Sequence, residues 1–443
     1  MSTENPGFKW GVSTAASQTE GAFDKDGKGL SVWDEFAKRK RKIGDKSNPS
    51  VATDFYNRYP EDIAILNQLK IPNFRFSVSW PRVLPMGTGQ PNEKGLDFYD
   101  RLTDHLLENN IVPWTTLYHW DLPHELQKRG GWCNRDILNW FGDYVNLVTN
   151  RLGDRIKNWM VLNEPMAFTG AGYLLGVHAP GERGIGSFVS AAHHAALATA
   201  AGASIIRSNV VNAYVGSTFS QSWVEPHSSG IKDQQAAQRV HDMLNLFFIL
   251  PATGHPYPLK HLKFLNKIEK FIKPGDESKL NANLDFVGIQ TYTREVIKYS
   301  WTVPFIKASM VSAIKRKQPY TQMGWEVCPE SIYHVLKNLQ SVPGLPPIII
   351  TENGAAFADE INKDGIINDT ERIAYLDNHI QQMQRAMKAG VDVRGYFAWS
   401  LTDNFEWAEG YRPRFGLVHI DYENNLKRTI KESAKWYAGR IKD

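Results

Sequence analysis

Apolar and polar residues along this chain follow two rhythms. Short runs that are nearly all apolar, or that alternate every second residue, predict strands over Phe8–Ser13, Asn73–Ser79, Val112–Tyr118, Ile156–Leu162, Ala213–Phe219, Leu284–Ile289, Pro347–Ile350 and Val393–Trp399. The alternation is plainest in Phe74-Arg75-Phe76-Ser77-Val78. Between these runs, apolar residues recur at i, i+3 and i+4, the spacing of one helix face. That spacing predicts helices over Tyr59–Leu69, Gly95–Asn109, Asp136–Leu152, Phe188–Arg207, Pro329–Leu339 and Asp369–Ala389. Eight strands with helices between them predict an α/β protein: a single (β/α)8 barrel with long βα loops over residues 1–443, rather than two domains. No low-complexity linker and no internal repeat interrupts it. The pattern is least regular between the fifth and sixth strands, where Pro251–Pro258 and Pro274–Ser278 read as loops.

Composition narrows the function classes. A chain of 443 residues buries a large core without staples. Lys plus Arg number 51 against 47 Asp plus Glu, a near balance that gives no reason to expect nucleic acid or an acidic partner. Only Cys133 and Cys328 are present, which argues against a disulfide framework and suits a reducing cytosol. The stretch Met1–Lys9 is polar and unlike a signal peptide, and no apolar run reaches bilayer length, so a cytoplasmic location and no membrane partner are expected. The oligomeric state is not legible.

The strand ends carry the candidate chemistry. The fourth strand runs into Leu162-Asn163-Glu164-Pro165 and the seventh into Thr351-Glu352-Asn353-Gly354. A carboxylate at the C-terminal end of a parallel barrel strand sits where this architecture places its reactive groups. Two carboxyls facing one cavity are what cleavage of a glycosidic bond requires: one gives a proton to the leaving oxygen, the other attacks the sugar or stabilises its positive charge. Other strands end in Gln18-Thr19-Glu20, Ser79-Trp80-Pro81-Arg82, His119-Trp120-Asp121, Gln290-Thr291-Tyr292 and Trp399-Ser400. Amides and imidazoles hydrogen-bond sugar hydroxyls, and indole faces stack on sugar CH surfaces.

These motifs, in this order, resemble glycoside hydrolase family 1, the β-glucosidase and β-glycosidase family. The resemblance runs from Phe8-Lys9-Trp10-Gly11 and Ser17-Gln18-Thr19-Glu20-Gly21 to Asp403-Asn404-Phe405-Glu406-Trp407 and Arg414-Phe415-Gly416-Leu417, essentially the whole chain. It implies a retaining mechanism with Glu164 as acid/base and Glu352 as nucleophile, with Arg75 and Tyr292 hydrogen-bonding Glu352. By the same resemblance Asn163 holds the sugar 2-hydroxyl. Gln18, His119, Glu406 and Trp407 bind the other hydroxyls, Trp399 forms the platform under the ring, and Trp120 and Phe415 are walls. Trp325 stacks on the aglycone side. No metal or organic cofactor is implied, since two carboxylates do the chemistry. The implied substrate is a small β-glycoside or oligosaccharide. Relatives that act on 6-phosphorylated sugars carry a small residue at the Glu406 position, and a carboxylate there would repel phosphate. Plant thioglucosidases carry Gln at the Glu164 position.

One departure stands out. The family has Asn-Tyr-Tyr-Thr where this chain has Gln290-Thr291-Tyr292-Thr293, so binding near the nucleophile is expected to shift. The simpler readings assign Trp10 and Trp80 to packing, His193-His194 to helix packing, and Lys38-Arg39-Lys40-Arg41-Lys42 to a solvated helix end. The segment Trp301–Lys317, apolar then cationic, reads as part of the aglycone mouth in preference to a membrane surface. A non-catalytic glycan- or partner-binding module on the same fold is the alternative function.

Overall fold

The computed structural model describes residues 7–442; of the polar stretch Met1–Lys9, residues 1–6 lie outside the described residues. Eight strands form the centre: β1 (Lys9–Ser13), β2 (Asn73–Ser77), β3 (Val112–Tyr118), β4 (Asn158–Asn163), β5 (Tyr214–Ser220), β6 (Phe286–Gln290), β7 (Ile348–Asn353) and β8 (Val393–Trp399). They close into one barrel in chain order, all neighbours parallel, with β1 pairing both β2 and β8.

Alternation sets which residues face inward. On β2, Phe74 and Phe76 stack 6.0 Å apart in the layer between sheet and helices, so Arg75 between them points into the barrel. Lower in the barrel, Trp114, Met160, Phe286, Ile349 and Phe397 from five strands pack together and plug its interior. Gly216 makes room for this plug, because a Cβ there would lie 2.5 Å from the Phe286 ring. The six expected helices all form, with ends within four residues of expectation; the longest is Ile185–Asn209.

That helix corrects one expectation. By length and composition it is apolar enough to cross a membrane, yet 83% of its most apolar window is buried within the protein, packed on Ile137–Leu152. His193 lies between the Tyr257 hydroxyl at 3.1 Å and Asp276 at 3.0 Å, and His194 contacts the Trp132 carbonyl at 2.8 Å. The basic run follows the helix Val32–Ala37; Arg39 and Lys42 donate to the carbonyls of Pro180 and Gly176.

The structure also differs between β5 and β8. The seventh strand runs to Asn353, three residues past its expected end, so Glu352 belongs to the strand itself. Trp223–Pro226, Arg294–Tyr299 and Ala308–Met310 form a separate three-stranded sheet covered by the helix Ile231–His241. Its strands are only three to six residues long, which leaves no local periodicity to read. Pro251 and Ala252 close a short helix, Ile249–Ala252, rather than opening a loop, and Glu277–Lys279 forms a 3-10 turn.

After β8 the chain is anchored by buried charge. Lys431 is fully buried and donates to Asp359 at 2.5 Å and to Asp403 at 2.9 Å. Asp403 also accepts from the Gly416 backbone at 2.9 Å, which fixes the loop leading to Glu406 and Trp407. Arg372 joins the same cluster through Asp359 and Asp369. Removing one member leaves uncompensated buried charge, which costs about 3–5 kcal/mol. Lys431→Ala is therefore expected to lower the chemical-denaturation stability by about that amount; a loss under about 1 kcal/mol contradicts this role.

Candidate active site

The C-terminal ends of the barrel strands open into a cavity of about 330 Å³. Eleven of the thirteen residues singled out from the sequence line it: Gln18, His119, Trp120, Glu164, Tyr292, Trp325, Glu352, Trp399, Glu406, Trp407 and Phe415. The other two, Arg75 and Asn163, are fully buried and connect to it by hydrogen bonds from beneath.

Local backbone geometry aims the two glutamates. Glu164 follows β4 with φ 44° and ψ 66°, a left-handed conformation unusual for a residue with a side chain. Its amide bonds the Thr218 carbonyl at 2.9 Å, and Pro165 then opens a short helix as its first residue. Trp120 and Trp407, at φ 75° and 47°, share this conformation, so three left-handed side-chain residues meet at one cavity. At β7 the pairing register slips between Ile350 and Glu352, and this irregularity turns the Glu352 carboxyl into the cavity. Gly354 follows because a Cβ there would lie 1.9 Å from the Trp399 carbonyl.

Three donors converge on Glu352. Arg75 Nη1 and Gln290 Nε2 (3.2 Å) reach Oε1, and the Tyr292 hydroxyl reaches Oε2 at 2.7 Å. Burial first, then the Glu352 charge, pushes the Tyr292 phenol well above its ordinary range, so it remains a donor. Arg75 Nη2 also donates to Asn163 Oδ1 at 2.6 Å, as do Gln290 (2.6 Å) and Thr218 (2.8 Å). An arginine can only donate, so that atom of Asn163 is the oxygen and its Nδ2 is the donor to His119 Nε2, 2.9 Å away. Burial, reinforced by the Arg75 charge, holds His119 well below the usual imidazole range. The ring is neutral and carries its proton on Nδ1, which has no hydrogen-bond partner among the described residues.

Glu164 stands in the opposite environment. Burial, followed by the negative charge of Glu352 and of Glu406, raises it well above the usual carboxylate range, and Arg75 only partly opposes this. One cavity thus holds a carboxyl gripped by three donors and another whose surroundings favour its protonated form. Around them lie aromatic surfaces. Trp120 and Trp407 stack at 4.4 Å, Trp399 packs with Ala15, Ala356 and Phe415, and Trp325 lies 5.3 Å from Tyr292.

Residues 3–443 match the profile of glycosyl hydrolase family 1. The chain belongs to that family. Over 438 residues it is 43% identical to β-glucosidase A of Thermotoga maritima, covering 99% of this chain and 97% of the relative. It is 43% identical over 438 residues to a 1,4-β-D-glucan glucohydrolase of Thermotoga neapolitana, covering 99% and 98%. The solved structure of the Thermotoga maritima β-glucosidase in complex with glucoimidazole superimposes with a TM-score of 0.93 at 43% identity, covering 98% of both chains.

As a glycosyl hydrolase of family 1, the chain shows two features its sequence did not disclose. The family Asn becomes Gln290, whose longer side chain bonds Asn163, Thr218 and Glu352 together. Its position at a strand end and its departure from the family Asn were the signals, and neither names these partners. Glu295, Gln221 and His178 also line the cavity; Glu295 lies on the strand that leaves the barrel after β6, and burial pushes its carboxyl up to about 7. The second feature corrects the argument from Glu406. Burial, then the Glu352 charge, pushes Glu406 up to about 8 against the hydrogen bond from Gln18 at 3.3 Å. A carboxyl raised to about 8 carries less charge to repel a phosphate at neutral pH, and the cavity wall contains no Lys or Arg among the described residues to attract one.

This shift makes a prediction for stability. A raised carboxyl leaves the folded state holding more protons than the unfolded state between pH 4.5 and about 8, so stability falls as pH rises through that window. Glu406→Gln removes one such proton, and the variant's stability is expected to fall less steeply over the window in urea titrations at stepped pH. Equal slopes for the two proteins contradict the shift.

Proposed function

We propose that the chain is a retaining exo-β-glucosidase that removes terminal non-reducing β-D-glucosyl residues, accepting β-galactosyl and β-fucosyl residues as well. The observation that carries this reading is the contrast between Glu352 and Glu164 within one cavity. Glu352 attacks the anomeric carbon while Glu164 gives its proton to the departing aglycone oxygen, leaving a glycosyl ester on Glu352. Glu164, now a carboxylate, takes a proton from water, the water oxygen bonds the anomeric carbon, and the ester bond breaks. A second sugar hydroxyl in place of that water gives transglycosylation. Asn163 Nδ2 gives one N–H to His119 and has a second that would reach up to the 2-hydroxyl, and the neutral His119 offers Nδ1–H to a neighbouring hydroxyl. The Trp399 platform meets the CH face of the ring.

The named activity of the relatives supports a glucosyl substrate, and the cation-free wall supports an unphosphorylated one. The test uses a chromogenic β-glucoside and a mechanism-based fluoro-sugar. Glu352→Ala is expected to abolish turnover and labelling. Glu164→Ala is expected to lose roughly 10²–10⁴-fold on substrates with poor leaving groups and much less on those with activated ones. Wild-type turnover by Glu352→Ala removes the nucleophile assignment, and a wild-type protein that neither turns over the glucoside nor is labelled favours a binding module.

A further inference from the structure

The hairpin that leaves the active-site wall carries an unusual surface. Five of the fifteen most exposed large hydrophobic residues fall within twenty positions: Trp301 (80%), Phe305 (59%), Met310 (67%), Ile314 (57%) and Tyr320 (53%). The same segment holds Lys298, Lys307, Lys315, Arg316 and Lys317, and no Asp or Glu occurs from Val296 to Trp325. A second basic segment adjoins it. The Phe264 ring lies 6.1 Å from that of Phe305, and Lys260, Lys263, Lys267, Lys270 and Lys273 surround it in sequence against the single acid Glu269. The whole chain carries only +4, so these two segments exceed its net charge and the remainder is net acidic. All nine lysines are exposed and none forms an ion pair among the described residues.

We propose that this aromatic and basic face is a docking surface for an anionic phospholipid bilayer. Exposed Trp and Phe at a hairpin tip enter the interfacial layer, and lysines beside them gain from negative headgroups. The tip is held from behind: Arg239 Nε donates to the Ile306 carbonyl at 2.6 Å, and Ala308–Met310 pairs antiparallel with Arg294–Tyr299. Charge argues against a second copy of the chain as occupant, since a two-fold contact would bring this cationic face against itself. The sequence assigns Trp301–Lys317 to the aglycone mouth in preference to a membrane surface, but none of those residues is among the cavity lining, and a face that lies on a bilayer needs no spanning segment.

Co-sedimentation of the full-length protein with phosphatidylglycerol/phosphatidylcholine vesicles, against pure phosphatidylcholine, tests this. Binding is expected only to the anionic vesicles and is expected to weaken steeply with salt. Lys307→Glu, Lys315→Glu and Lys317→Glu together are expected to lower the partition coefficient about a hundredfold, and Trp301→Ser with Phe305→Ser by about tenfold or more. The same reversal at Lys38, Lys40 and Arg41, which lack exposed aromatic neighbours, is expected to leave it unchanged. Glucoside hydrolysis is the check that every variant is folded. Failure to bind anionic vesicles at low salt overturns the proposal. So do equal losses from the two sets of reversals, or binding that needs the lysines but not Trp301 and Phe305 and is matched on duplex DNA.

Discussion

Arg75 places a full positive charge inside a closed barrel, with no exposed surface of its own. An ion in that position costs several kcal/mol unless it is matched, and removal of either partner of such a pair costs about 3–5 kcal/mol. Glu352 is the match. Asn163 takes the other guanidinium nitrogen, and Thr116 accepts from Nε at 3.1 Å. The strand that carries Arg75, the register slip that turns Glu352 inward and the left-handed residue that follows Asn163 therefore serve one arrangement. The Glu352 carboxyl thus offsets a charge that the fold would otherwise hold unmatched.

The same pair sets the state of its surroundings. The Arg75 charge helps keep His119 neutral, and the Glu352 charge raises Glu164, Glu406 and Tyr292. Burial of these groups strengthens each of these effects. One ion pair thus distributes protons over four neighbouring groups. Glu164 and Glu406 become donors suited to sugar hydroxyls or a leaving oxygen, Tyr292 spends its proton on Glu352, and His119 Nδ1 has no partner among the described residues. Aromatic faces complete the cavity with surfaces that hold a sugar ring without competing for those protons.

Much of this was legible in the chain. The alternation around Arg75 marked its strand, and the expected bounds of β3 and β8 match the structure because both strands are long and bounded by clear turns. Glu164 and Glu352 stood out because each follows an apolar run. What remained hidden depended on the third dimension. Nothing in Gln290 as a residue type says that its extra methylene reaches three partners at once. Nothing in Glu406 says that burial neutralises it. The three-stranded sheet beside the cavity is built from segments too short for periodicity, and its exposed aromatic edge is visible only once the opposite face is seen to be buried on Ile231–His241.

The central claim is that a carboxylate fixed by Arg75 attacks from one side while a protonated carboxyl serves the other, so that two displacements occur at the anomeric carbon. Proton NMR of the sugar first released from an aryl β-glucoside, recorded before mutarotation, tests this most directly. The account predicts the β-anomer as the initial product, with the α-anomer growing in later; initial release of the α-anomer would contradict it.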